Sequence, residues 1–120
     1  MYNYIALLIG AIAGSSLRYF IGLLNLSLFG LSISTIMVNI FGSFLAGLFL
    51  NKFQGSIYIF LYIGLFGSLT TLSSFNVELF NLLSSNLYMK SVTYFLLNIL
   101  LSFIFFIFGY YIINRIWLLK

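Results

Sequence analysis

The chain has no histidine, cysteine or proline, and its only acidic residue is Glu78. Each absence removes a class of chemistry. General acid–base catalysis needs a titratable pair or a tuned histidine, and zinc sites are built from Cys, His or carboxylate clusters. Neither can be assembled around a single glutamate. Serine and threonine are plentiful, but no base stands by to activate one as a nucleophile, so the sequence argues against an enzyme. Without cysteine there is no disulfide and nothing to read about redox compartment. Without proline, a broken helix must be made by glycine and hydroxyl residues. Charge is scarce as well: the net +4 is spread too thinly for a nucleic-acid surface, and Lys and Arg here set membrane orientation instead.

What remains is apolar. Of the 120 residues, 63% are hydrophobic, 21% aromatic and 5% charged, whereas soluble domains are about half apolar and about a quarter charged. The chain is read as an all-α integral membrane protein. A crossing helix needs about 20 residues, and four apolar runs supply them: about Tyr4 to Leu24, Ser32 to Leu50, Ile57 to Leu83 and Ser91 to Ile113. They form a single four-helix domain over residues 1–120, too small to enclose a pathway alone, which points to oligomerisation. Ala11-Ile12-Ala13 mimics a signal-peptide cleavage site, but no basic n-region precedes it and the apolar run continues, so the first helix is expected to be retained.

The polar residues inside these runs are patterned. In the first, Gly10, Gly14, Arg18 and Gly22 recur every four residues on one stripe. Gly10-x-x-x-Gly14 is a small-residue packing surface, and an intramembrane arginine marks a functional site unless it snorkels to the interface. The second run carries Thr35, Asn39, Ser43 and Gly47 at the same spacing, and the fourth carries Tyr94, Asn98 and Ser102. Tyr110, Tyr111 and Trp117 read as an interfacial belt.

The third run is the unusual one. Gly64-Leu65-Phe66-Gly67-Ser68-Leu69-Thr70-Thr71-Leu72-Ser73-Ser74-Phe75 places two glycines and five hydroxyls in lipid-compatible sequence. Unpaired backbone survives at membrane depth only inside protein or beside water or an ion. The stretch is therefore read as two half-helices joined at Gly67–Thr71 around an ion or solute site, against the plainer reading of a kinked helix whose hydroxyls satisfy its own backbone. Glu78 falls near the end of this run, on the same side of the membrane as Arg18, as a partial ion pair or a solvated vestibule charge.

Taken together, Gly10-x-x-x-Gly14-x-x-x-Arg18-Tyr19, Thr35-x-x-x-Asn39-x-x-Gly42-Ser43-Phe44-x-x-Gly47 and Gly64-x-Phe66-Gly67-Ser68-x-Thr70-Thr71-x-Ser73-x-Phe75-x-x-Glu78 resemble the Fluc (CrcB) family of fluoride channels. The third motif is the specific one. The resemblance implies a multi-pass protein of the cell membrane, such as a bacterial plasma membrane, that exports fluoride as a dual-topology dimer of antiparallel subunits. It implies a structural Na⁺ held by backbone carbonyls at Gly67 and Thr70. It assigns Asn39 as the pore asparagine, Arg18 as the vestibule arginine and Phe75 as one of two pore phenylalanines. Thr35, Ser43, Tyr94, Asn98 and Ser102 fall on the polar track. Leu72 stands at the other phenylalanine position, Ser68 where a second glycine is usual, and Asn98 where serine is commoner.

Neutral donors suit fluoride, which is small and strongly hydrated. Amide and hydroxyl groups replace its water without the deep fixed charge that would stop it leaving, and a phenylalanine presents a positive ring edge. Two alternatives are weighed. Leu72 leaves open a non-conducting subunit of a heterodimeric channel. A small four-helix multidrug exporter would need a carboxylate in the first helix, which has none. With both termini on one side, Lys52, Arg115 and Lys120 oppose Lys90, a modest bias to cytoplasmic termini that raises the chance of a homologous partner inserted the other way and leaves homodimer and heterodimer both open.

Overall fold

The structure, a computed structural model, describes residues 1–118, and side chains as far as Arg115. Helix α1 spans Tyr2–Leu23 and α2 spans Ile33–Phe49. The third segment is α3, residues 55–69, followed by α4, Leu72–Ser84. Helix α5 covers residues 88–118. The four apolar runs thus become four helical segments, with ends shifted by a few residues. Trp117 and Lys120, read above for the belt and for orientation, lie outside the described side chains.

Three spans are long and apolar enough to cross a membrane: 22 residues from Tyr2 to Leu23, 30 from Gly55 to Ser84 and 28 from Tyr88 to Arg115. Helix α2 has 17 residues, about 25 Å at the helical rise, the lower limit for a crossing. Large apolar side chains such as Leu8, Ile12, Phe20, Phe103 and Phe108 point outward, as expected where lipid is the solvent. This is a multi-pass membrane protein.

Lipid gives helices no hydrophobic reason to associate, so close packing must do it. Two glycine seams provide that packing. A methyl on Gly10 would strike the carbonyl oxygen of Phe60, and one on Gly14 that of Leu65, which welds α1 to α3. Likewise Gly47 abuts the carbonyl of Phe106 and Gly109 that of Phe44, which joins α2 to α5. Gly22 has nothing within 4 Å, so the packing role of the first stripe ends before it.

The connection between α1 and α2 is more ordered than its sequence suggests. Strands β1, Ser27–Leu28, and β2, Leu31–Ser32, pair antiparallel with Ser27 opposite Ser32. Phe29 and Gly30 turn the ribbon at φ 54° and 78°, a conformation glycine adopts freely.

The third segment is broken within the expected Gly67–Thr71 stretch, at its far end. Gly67 remains helical at φ −63°, ψ −28°. The chain becomes extended at Thr70 (ψ 153°) and Thr71 (φ −145°, ψ 111°). Thr71 then caps α4, its hydroxyl accepting from the Ser74 N–H at 3.1 Å. Two stretches have widened turns with i→i+5 bonding, Ile59–Phe66 and Leu97–Leu101. Such turns are uncommon and gather at functional sites; one leads into the break and the other carries Asn98.

Candidate functional site

The break lies between two cavities. The first, of about 510 Å³, opens to the outside of the helix bundle and is lined by Asn39, Ser43, Thr70, Thr71, Leu72, Phe75, Asn98 and Ser102, with Ile99, Phe103 and Phe106 as its apolar wall. It has no charged side chain. The second, also about 510 Å³, is polar: Arg18, Asn25, Ser32, Ser34, Thr35, Ser73, Ser74 and Glu78 surround it. Thr71 lines both, so the extended residues between α3 and α4 form the partition.

Asn39 holds that partition in place. Its Oδ1 accepts the Thr71 N–H at 2.7 Å, a proton that an unbroken helix would return to the Gly67 carbonyl. Its Nδ2 donates to Asn98 Oδ1 at 3.0 Å and to the Thr71 carbonyl at 3.3 Å. Asn98, 2% exposed, donates in turn to its own helix at the Tyr94 carbonyl, 3.1 Å away. Further along α5, the Ser102 hydroxyl is buried and has no hydrogen-bond partner. An unsatisfied buried hydroxyl costs about 1–3 kcal/mol, and this one belongs to the first cavity.

The stripe on α2 is divided by the fold. Asn39 and Ser43 serve the apolar groove, Thr35 faces the polar cavity and Gly47 belongs to a packing seam. Thr35 donates to Glu78 Oε1 at 2.9 Å, and the Tyr94 hydroxyl makes a short bond to Glu78 Oε2. Tyr94 is fully buried and lines neither cavity. It supports Phe75 instead, ring on ring at 5.6 Å and 17°.

Arg18 and Glu78 share the polar cavity without forming an ion pair, and both Glu78 oxygens accept from hydroxyl donors. Arg18 is half-buried and no carboxylate neutralises it among the described residues. Arg18 and Glu78 are the charged residues that line this cavity, and the groove on the other side of the break has none. Leu72 projects at the groove, 67% exposed.

For a cation, the relevant atoms are the carbonyls of Gly67 and Thr70. Diversion of the Thr71 N–H to Asn39 removes the usual helical partner of Gly67, and the extended Thr70 turns its own carbonyl out of the helix. Gly67 is exposed, and a methyl there would meet only the Tyr62 carbonyl at 3.4 Å. No cluster of His, Cys, Asp or Glu suited to a metal occurs among the described residues. The donor set is thus neutral oxygen, which fits a hard monovalent cation (hard ions prefer oxygen, as calcium does). One chain offers only two such carbonyls.

Sequence reasoning overlooked Thr71 as a site residue, although a threonine three positions before Ser74 at the start of an apolar run is an N-cap signature. It also overlooked Ile99, Phe103 and Phe106, whose four- and three-residue spacing beside Asn98 and Ser102 marks one face of α5.

Comparison with known proteins places the chain in a family. Residues 5–110 match the family described as CrcB-like protein, Camphor Resistance (CrcB). A protein of Methanosarcina acetivorans named Fluoride-specific ion channel FluC 1 is 38% identical over 119 residues, covering 93% of this chain and 88% of its own. One of Methanococcus vannielii named Fluoride-specific ion channel FluC is 36% identical over 104 residues, covering 82% and 85%. A Shewanella frigidimarina protein of the same name is 35% identical over 108 residues, covering 84% and 87%. The chain belongs to the CrcB family.

Proposed function

We propose that this chain is a fluoride-selective channel subunit that lets fluoride leave the cell. The observation that carries the reading is the charge-free groove beside the break, in which neutral donors converge and the Ser102 hydroxyl is buried without a partner. Fluoride accepts hydrogen bonds strongly, so such a groove replaces its hydration shell. Chloride is larger and binds its water less tightly, and gains less from the exchange.

The path runs from the polar cavity, where Arg18 raises the local anion concentration, past the Asn39–Thr71 partition, and into the groove. There Ser43 and Ser102 offer hydroxyls and Phe75 a ring whose stacked face is already taken by Tyr94. A half-open groove with exposed Leu72 and Phe103 on its rim needs a wall, and a second subunit inserted antiparallel supplies one. Pairing across the break would also bring four carbonyls together, two from each Gly67 and Thr70, to hold a Na⁺. Bound there, the ion supplies the positive charge that ties the unpaired carbonyls of the break together.

The exporter alternative has no support, since α1 contains no carboxylate. The deciding experiment is efflux from liposomes in which this chain is the only protein. Fluoride should leave and chloride should not. Equal passage of both ions, or of neither, refutes the proposal.

A further inference from the structure

Asn98 lies in the groove, yet its hydrogen bonds point away from a direct role in binding. The bonds described above form a one-way relay of amides. The Thr71 N–H donates to Asn39 Oδ1 at 2.7 Å, Asn39 Nδ2 donates to Asn98 Oδ1 at 3.0 Å, and Asn98 Nδ2 donates to the Tyr94 carbonyl at 3.1 Å. The direction is chemically forced from either end. A backbone N–H can meet only the oxygen of Asn39, which turns the Asn39 nitrogen towards α5. A backbone carbonyl at Tyr94 can accept only from the nitrogen of Asn98, which turns the Asn98 oxygen towards α2. A carboxamide has one oxygen and one nitrogen, so flipping either side chain would set oxygen against oxygen at one contact.

We infer that Asn98 is a positioning residue for Asn39. By presenting only its oxygen to α2, it fixes which way the Asn39 amide faces, and through Asn39 it holds the extended turn at Thr71 that separates the two cavities. The shortest bond in the relay is the one at the break. The longest bond of Asn39, 3.3 Å to the Thr71 carbonyl, lies outside the relay, so the N–H making it is the donor that can exchange its acceptor for a passing anion while the relay stays intact. Asn98 therefore acts on conduction through Asn39 and the break. The inference rests on the proposed channel reading for its consequence, but the relay itself can be measured without any ion flux.

The measurement is amide hydrogen exchange at Thr71 in the full chain reconstituted in lipid nanodiscs, alongside fluoride efflux from liposomes. Asn98→Leu removes the oxygen at similar size. It should raise Thr71 exchange and lower fluoride efflux, each by on the order of tenfold for one lost hydrogen bond. Asn98→Asp, which burial holds protonated, presents an oxygen to Asn39 and an O–H to the Tyr94 carbonyl, and should leave Thr71 protected even where conduction falls. Because Asn39→Ala already removes the acceptor, adding Asn98→Leu to it should expose Thr71 no further, and this comparison decides even if a single variant packs poorly. Equal Thr71 exchange in Asn98→Leu and wild type, equal loss in the Asp and Leu variants, or additive effects in the double variant would overturn the inference. Absence of fluoride efflux from the wild type would defeat the channel reading instead and leave the exchange comparison standing.

Discussion

Replacing Leu72 by phenylalanine tests the groove with little risk to the fold. Leu72 is 67% exposed in the single chain and lines the groove, so a larger side chain has room within its own subunit. Surface changes of this kind alter stability by less than about 0.5 kcal/mol. What changes is the lining: an aliphatic side chain offers an anion no polarity, whereas a ring offers its positive edge. On the scale of aromatic contacts, about 0.5–1.5 kcal/mol, full expression in the barrier gives about a two- to tenfold faster rate. Wild-type, Leu72→Phe and Leu72→Met proteins would be compared for fluoride and chloride efflux from liposomes. The expected result is faster fluoride for the phenylalanine variant alone, with chloride unchanged. Equal fluoride rates in all three would refute the reasoning, and parallel acceleration of chloride would show that the change had widened the path.

Asn39→Asp should retain the bond from Thr71 but set oxygen against both Asn98 Oδ1 and the Thr71 carbonyl; with negative charge added, fluoride efflux should fall at least tenfold, and unchanged flux would remove Asn39 from the path. At the carbonyl site backbone shape matters more than the side chain, so Thr70→Ser should conduct nearly normally while Gly67→Val should fail. Since Gly67 has room within its own chain, the valine variant should keep its helical circular dichroism, and loss of that signal would place the defect in folding. Gly14→Val drives a side chain into the Leu65 carbonyl and should cost about 1–3 kcal/mol or more, read as a lowered thermal midpoint in detergent, with Gly22→Ala as the harmless control. Reporter fusions at the C-terminus should favour the cytoplasmic side; an even split would favour a homodimer over a pair of unlike subunits.

The fold was legible where physics leaves few choices. Lipid requires long apolar helices, and these appear in composition alone, within a few residues at each end. The break was legible too, as one of two readings of glycines and hydroxyls in an apolar run, the other being a kinked helix that satisfies its own backbone. Its location fell within the expected Gly67–Thr71 stretch, at the end of it: the chain departs from the helix at Thr70, where Asn39 takes the Thr71 N–H. That competing acceptor sits 32 residues away, and no local pattern announces it. The four-residue stripe on α2 suggested one continuous track, and the structure assigns its members to two cavities and a seam. Periodicity gives the face of a helix but not what each level of that face meets. The β-ribbon before α2 escaped notice because its strands are two residues long.

The widened turns of α3 and α5 bear on how the chain tolerates changes in length. In an ordinary helix each residue advances the face by about 100°, so losing one residue rotates everything beyond it to a new side. A widened turn carries surplus residues relative to the 3.6-residue period, and removing one lets the helix tighten while the following face keeps its direction. A deletion within residues 97–101 that spares Asn98 would thus be absorbed, whereas one within residues 59–66 would shift Phe60 against Leu65, whose carbonyls meet Gly10 and Gly14, and one within residues 102–109 would swing Gly109 away from the Phe44 carbonyl it abuts. Natural variation in helix length within such proteins should then collect around Asn98, close to where the ion is proposed to pass.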